Sequence, residues 1–119
     1  MALNRFRVRS PDRDRDTDGR RMQRLHQLLA DLRSEMERER DGLRERYEKV
    51  TANAAFSMLA VEEDDGSPGM SSQIGVMTST MVDYASRITS LGAQIDFVAD
   101  LDRRVDQLLR GNVVQDVRV

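Results

Sequence analysis

The chain has 119 residues, 34% of them charged and 4% aromatic, with two prolines, no cysteine and a formal net charge of −2. That length holds one domain, and the composition favours long solvated helices over a layered α/β core. Disulfides and thiolate chemistry are excluded, and no apolar run approaches the roughly 18 residues of a membrane-spanning helix.

The charge is unevenly spread. Residues 1–61 carry fourteen Arg or Lys against eleven Asp or Glu, a balance of +3, while residues 62–119 carry five against ten, a balance of −5. Two such halves attract weakly, which favours folding back on one another.

Residues 1–16 are expected to form a charged, flexible arm. Leu3-Asn4-Arg5-Phe6-Arg7-Val8-Arg9 alternates apolar residues with arginine, a short strand pattern that Ser10-Pro11 breaks. No apolar segment follows these arginines, so a secretory signal is not expected and the expected location is cytoplasmic. Asp14-Arg15-Asp16-Thr17-Asp18-Gly19 has the D-x-D-x-D-G spacing that opens a calcium loop. The twelfth position should then be a bidentate Glu but is Leu25. Asp14, Asp16 and Asp18 are therefore a weak calcium candidate, and no cofactor is expected.

A first helix is expected over about residues 17–62. Its apolar stripe reads Met22, Leu25, Leu29, Leu32, Met36, then Leu43, Tyr47, Val50, Ala54, Met58 and Val61, with a charged gap at Glu39–Arg40. Gly42 costs about 1 kcal/mol relative to alanine inside a helix. Asp41–Arg44 and Glu45–Lys49 have the spacing of supporting surface pairs.

Residues 63–70 contain the one strong internal breaker, Gly66-Ser67-Pro68-Gly69. A second helix is expected from about 71 to 110, capped by Ser71 or Ser72 and stopped by Gly111-Asn112. Its stripe, Ile74, Met77, Met81, Tyr84, Ile88, Leu91, Ile95 and Val98, steps by three and four, the 3.5-residue period of a coiled-coil seam. Leu101, Val105 and Leu108–Leu109 extend it. The tail 111–119 is short and rich in β-branched residues, suited to pairing with residues 3–9 as a strand.

The predicted fold is all-α, an antiparallel two-helix coiled-coil hairpin. A turn about residues 66–68 pairs numbers that add to about 134, placing Leu43 near Leu91 and Val50 near Tyr84. One seam alone does not offset the entropy of ordering so many residues. Self-association or a protein partner is therefore expected to complete a larger bundle.

The surface for that contact is expected in the loop-proximal half. Residues 50–61 and 73–95 hold only Asp83 and Arg87 as charges. Phe56, Met58, Met70, Val76, Met77, Met81 and Val82 are the candidate partner-binding residues, since methionine adapts to irregular partners and exposed apolar patches mark interfaces. On architecture alone the hairpin is similar to small helical stalks and chaperones of bacterial secretion and flagellar export systems. The absence of tryptophan separates it from small secreted hairpins with a Trp-x-Gly turn.

Catalysis is not expected. His26 is the lone histidine, the Ser and Thr residues of 71–90 have no base beside them, and a two-helix hairpin has little concavity. The leading expectation is a non-catalytic assembly, adaptor or scaffold protein. The alternative is nucleic-acid binding through Arg5, Arg7, Arg9, Arg20, Arg21 and Arg24, which the acidic residues between 12 and 18 oppose.

Overall fold

The computed structural model describes residues 10–63 and 68–118, and every one of these except Ser10 is helical. Helix α1 spans Pro11–Glu63 and helix α2 spans Pro68–Arg118, forming an all-α helical hairpin. The chain forms two compact units. A termini-proximal unit comprises Met1–Arg33 with Phe97–Val119, and a loop-proximal unit comprises Ser34–Asp96.

Both helices are longer than the sequence suggests, for identifiable reasons. The charge pattern predicts an arm to residue 16, yet α1 starts at Pro11. Ser10 is its cap: Oγ accepts from the Arg13 amide at 3.4 Å, and the Ser10 carbonyl accepts from the Asp14 amide at 3.1 Å. Proline suits the first helical position because its fixed φ matches and it lacks only an amide that would be unpaired there. The dipeptide that looked like a breaker is a start signal, reinforced by Asp12 and Asp14 at the positive end of the helix dipole. Helix α2 likewise opens on a proline, Pro68, rather than near Ser71.

At the other end, α2 continues through Gly111 and Asn112 to Arg118, so residues 111–118 are helix and not an extended strand. Glycine and asparagine lower helix propensity without forbidding it. The Leu3–Arg9 pattern and the turn at Gly66-Ser67 lie outside the described residues.

The seam follows one unbroken heptad phase in each helix. In α1 the half-buried or buried positions include Met22, His26, Leu29, Arg33, Met36, Arg40, Leu43, Tyr47, Val50, Ala54, Ser57 and Val61, alternating by four and three. In α2 they include Ile74, Met77, Met81, Tyr84, Ile88, Leu91, Ile95, Val98, Asp102, Val105 and Leu109. Leu29, Ala54, Leu91, Ile95 and Val105 form the buried core, with Leu91 only 1% exposed.

This phase corrects the expected stripe at its ends. Leu25 and Leu32 each remain 39% exposed, and Met58 is 53% exposed. His26, Arg33 and Ser57 take the half-buried places beside them. The apolar stripe of residues 22–36 and that of residues 47–61 are out of step by one residue. A continuous helix holds a single phase unless extra residues interrupt the repeat, and here the loop-proximal phase prevails throughout. Arginine tolerates the seam because its methylene stem lies along apolar surface while its charge reaches water.

The register also differs from expectation. Two cross-helix contacts fix it, one in each unit. In the termini-proximal unit His26 Nδ1 lies 2.5 Å from Asp102 Oδ1. In the loop-proximal unit Arg87 donates to Glu39. These pairs add to 128 and 126, not 134. Level partners are then Met22 with Val105 and Leu29 with Val98 in one unit, and Met36 with Leu91 and Leu43 with Tyr84 in the other. The displacement is one heptad, which brings apolar residues opposite apolar residues again.

Candidate interaction surfaces

The loop-proximal unit exposes Phe56 (72%), Val76 (66%), Val82 (62%), Leu59 and Met58. Phe56 and Val76 occupy equivalent places, each two residues beyond a seam residue, Ala54 and Ile74. In an antiparallel pair those places lie on the same flank. Ser57 and Met77 join Val76, Ser72 and Gln73 around a shallow open depression. The hydroxyls here are satisfied within their own helices. Thr51, Thr78, Thr80 and Thr89 donate to the carbonyls of Tyr47, Ile74, Val76 and Ala85 at 2.7–3.0 Å. Such back-bonding occupies the hydroxyl donors within the helix itself.

Of the seven residues expected to bind a partner, Phe56, Met58, Val76 and Val82 are exposed in this unit, while Met77 and Met81 sit half-buried in the seam. The Met70 side chain is outside the described ones. Leu59, 57% exposed, was not singled out from the sequence, because stripe counting assigns no role to a residue off the seam.

The termini-proximal unit carries a second apolar surface that stripe counting conceals. Leu28 (54%), Phe97 (64%) and Leu108 (51%) are exposed, together with the partly exposed Leu25 and Leu32. Because Leu25 and Leu32 have the right spacing for a seam, the sequence alone assigns them to the interior.

The calcium spacing does not produce a calcium loop. Asp14, Asp16 and Asp18 all lie within α1, where steps of two residues turn successive side chains by about 200° and prevent convergence on one ion. Asp18 instead lies 3.6 Å from Arg21. No group of three or more potential metal ligands occurs among the described residues.

Arg20, Arg21 and Arg24 border an open depression with Thr17 and Gln23. Arg5, Arg7 and Arg9 lie outside the described residues. Among the described residues no helix is long and apolar enough to cross a membrane.

Among the described residues, two titrating groups depart from their ordinary behaviour. The hydrogen bonds from Arg87 hold the Glu39 carboxyl below its ordinary value, outweighing the opposing effect of desolvation, and the charge of Arg87 acts in the same direction as the hydrogen bonds. The same hydrogen bonds, with the charge of Glu39, raise the Arg87 guanidinium above its ordinary value.

Among the described residues, the fold and surfaces define a two-helix protein with exposed apolar faces. Comparison with protein-family models, with curated proteins and with solved structures gave no match to this chain.

Proposed function

We propose that this chain is a non-catalytic coiled-coil assembly, adaptor or scaffold protein that binds a protein partner through the loop-proximal unit. The observation that carries this reading is the exposure of Phe56, Met58, Leu59, Val76 and Val82 within a stretch almost free of charge. Large apolar side chains that face water on a charge-poor surface favour burial against another protein. The chemistry of the surface supports a helix as partner. It offers aliphatic, aromatic and small residues at helical spacing, and its threonine hydroxyls are already occupied. Activity through a helix-lined groove is a known recognition mode in which a few apolar anchors supply most of the affinity.

Affinity capture from the protein's own cells tests the reading. Val76→Glu with Val82→Glu should remove the captured partner while leaving helicity unchanged. Capture of the same partner by both forms refutes the assignment.

Nucleic-acid binding through Arg20, Arg21 and Arg24 ranks second, favoured by their grouping around one depression. Asp14, Asp16 and Asp18 on the preceding turns oppose it. A salt-dependent mobility shift of DNA or RNA would support that alternative, and no shift at low salt would end it.

A further inference from the structure

The seam phase determines where the displaced leucines go. In an antiparallel helix pair, the residues immediately preceding one set of seam positions lie on the same flank of both helices. Glu39 precedes Arg40 and Arg87 precedes Ile88, and the two meet across the loop-proximal unit. The equivalent places in the termini-proximal unit are Leu25, Leu32, Leu101 and Leu108. Leu28 and Phe97 lie three or four residues from these, on the same side. Six large apolar residues from two helices therefore share one flank of this unit. The opposite flank presents Arg20, Gln23, Gln27, Arg103, Asp106 and Arg110.

We propose that this flank pairs with the same flank of a second copy of the chain, forming a twofold homodimer of four packed helical segments. Three observations select a second copy as the occupant. The first is area. A folded monomer of 13.6 kDa exposes about 6,600 Å² by the usual scaling with mass, whereas this chain exposes 9493 Å². The excess is about 2,900 Å² per chain, enough to supply the roughly 1,000–2,500 Å² that each chain of an obligate homodimer buries.

The second is charge. A face with net charge repels its own copy, but the charges bordering this flank are locally compensated. Asp18 lies 3.6 Å from Arg21, and Arg104 Nε lies 3.3 Å from Asp100.

The third is the seam itself, which is polar at this level. His26 and Asp102 occupy positions that an isolated pair of helices would fill with leucine. Apolar burial missing from the seam is present on the flank beside it. A two-helix flank matches another two-helix flank in the packing of a four-helix bundle.

Sedimentation equilibrium of the full chain across the micromolar range should give twice the 13.6 kDa chain mass. Leu28→Glu with Phe97→Glu should reduce it to one chain mass, whereas Gln23→Glu with Gln27→Glu on the other flank should not. To separate loss of pairing from loss of fold, cross-linking provides a second measurement in this cysteine-free chain. Leu28→Cys and Phe97→Cys should join chains through a short bismaleimide at least tenfold faster than Gln27→Cys and Arg103→Cys. A helical wild-type chain that sediments as a monomer overturns the proposal. Equal cross-linking on both flanks also overturns it.

Discussion

Arg87 grips Glu39 with two hydrogen bonds, Nε to Oε2 at 2.8 Å and Nη2 to Oε1 at 3.2 Å, joining residues 48 positions apart. The paired, planar geometry makes this a more specific contact than the single-point pairs along each helix surface. It sits beside the seam and matches only one alignment of the two helices.

Glu39 has a folded-state pKa below its ordinary 4.5, chiefly from these hydrogen bonds. Its contribution to stability is therefore present above the unfolded-state value and is lost as pH falls through the folded-state value. Urea midpoints measured from pH 6 downwards should fall across the acid range, and Glu39→Gln should flatten that part of the curve. An unchanged acid limb in the variant would contradict the assignment.

His26 and Asp102 place a polar pair where the seam would otherwise be apolar. Replacing both with leucine should be neutral or stabilising by up to about 2 kcal/mol, because a partly buried polar pair recovers little of its desolvation cost. The same change should weaken the choice of register. Spin labels placed one on each helix should then report a second distance, since a one-heptad slip slides the helices about 10 Å past each other. A single unchanged distance would show that other contacts hold the alignment.

Leu91 and Met58 both belong to the apolar stripes of the sequence, but only Leu91 is buried, at 1% against 53% exposure. Leu91→Ala should cost roughly 2–5 kcal/mol through lost burial and a residual cavity. Met58→Ala should stay within about 0.5 kcal/mol, as surface changes do. Comparable losses at the two positions would refute the seam phase.

Gly42 lies inside α1, and a Cβ built there meets nothing within 4 Å. Gly42→Ala should therefore stabilise the chain by up to about 1 kcal/mol by restricting the unfolded backbone. The urea midpoint should rise with an unchanged slope.

The sequence by itself determined two long helices, their antiparallel partnership and the absence of charge around residues 50–61 and 73–95. Those features follow from local propensity and a repeat of three and four, which any window of the chain reveals. It did not determine which of two adjacent phases faces inward, because Leu25 and His26 both belong to acceptable stripes. Only the continuity of α1 through Tyr47, Ala54 and Val61 settles that choice in favour of His26. Nor could it separate registers one heptad apart, since the apolar pattern is the same after a shift of seven residues. Side chains that act at a single level, Glu39 with Arg87 and His26 with Asp102, distinguish them. The exposed flank of Leu25, Leu28 and Leu32 is a consequence of that choice, so it became visible only when the helices were placed together.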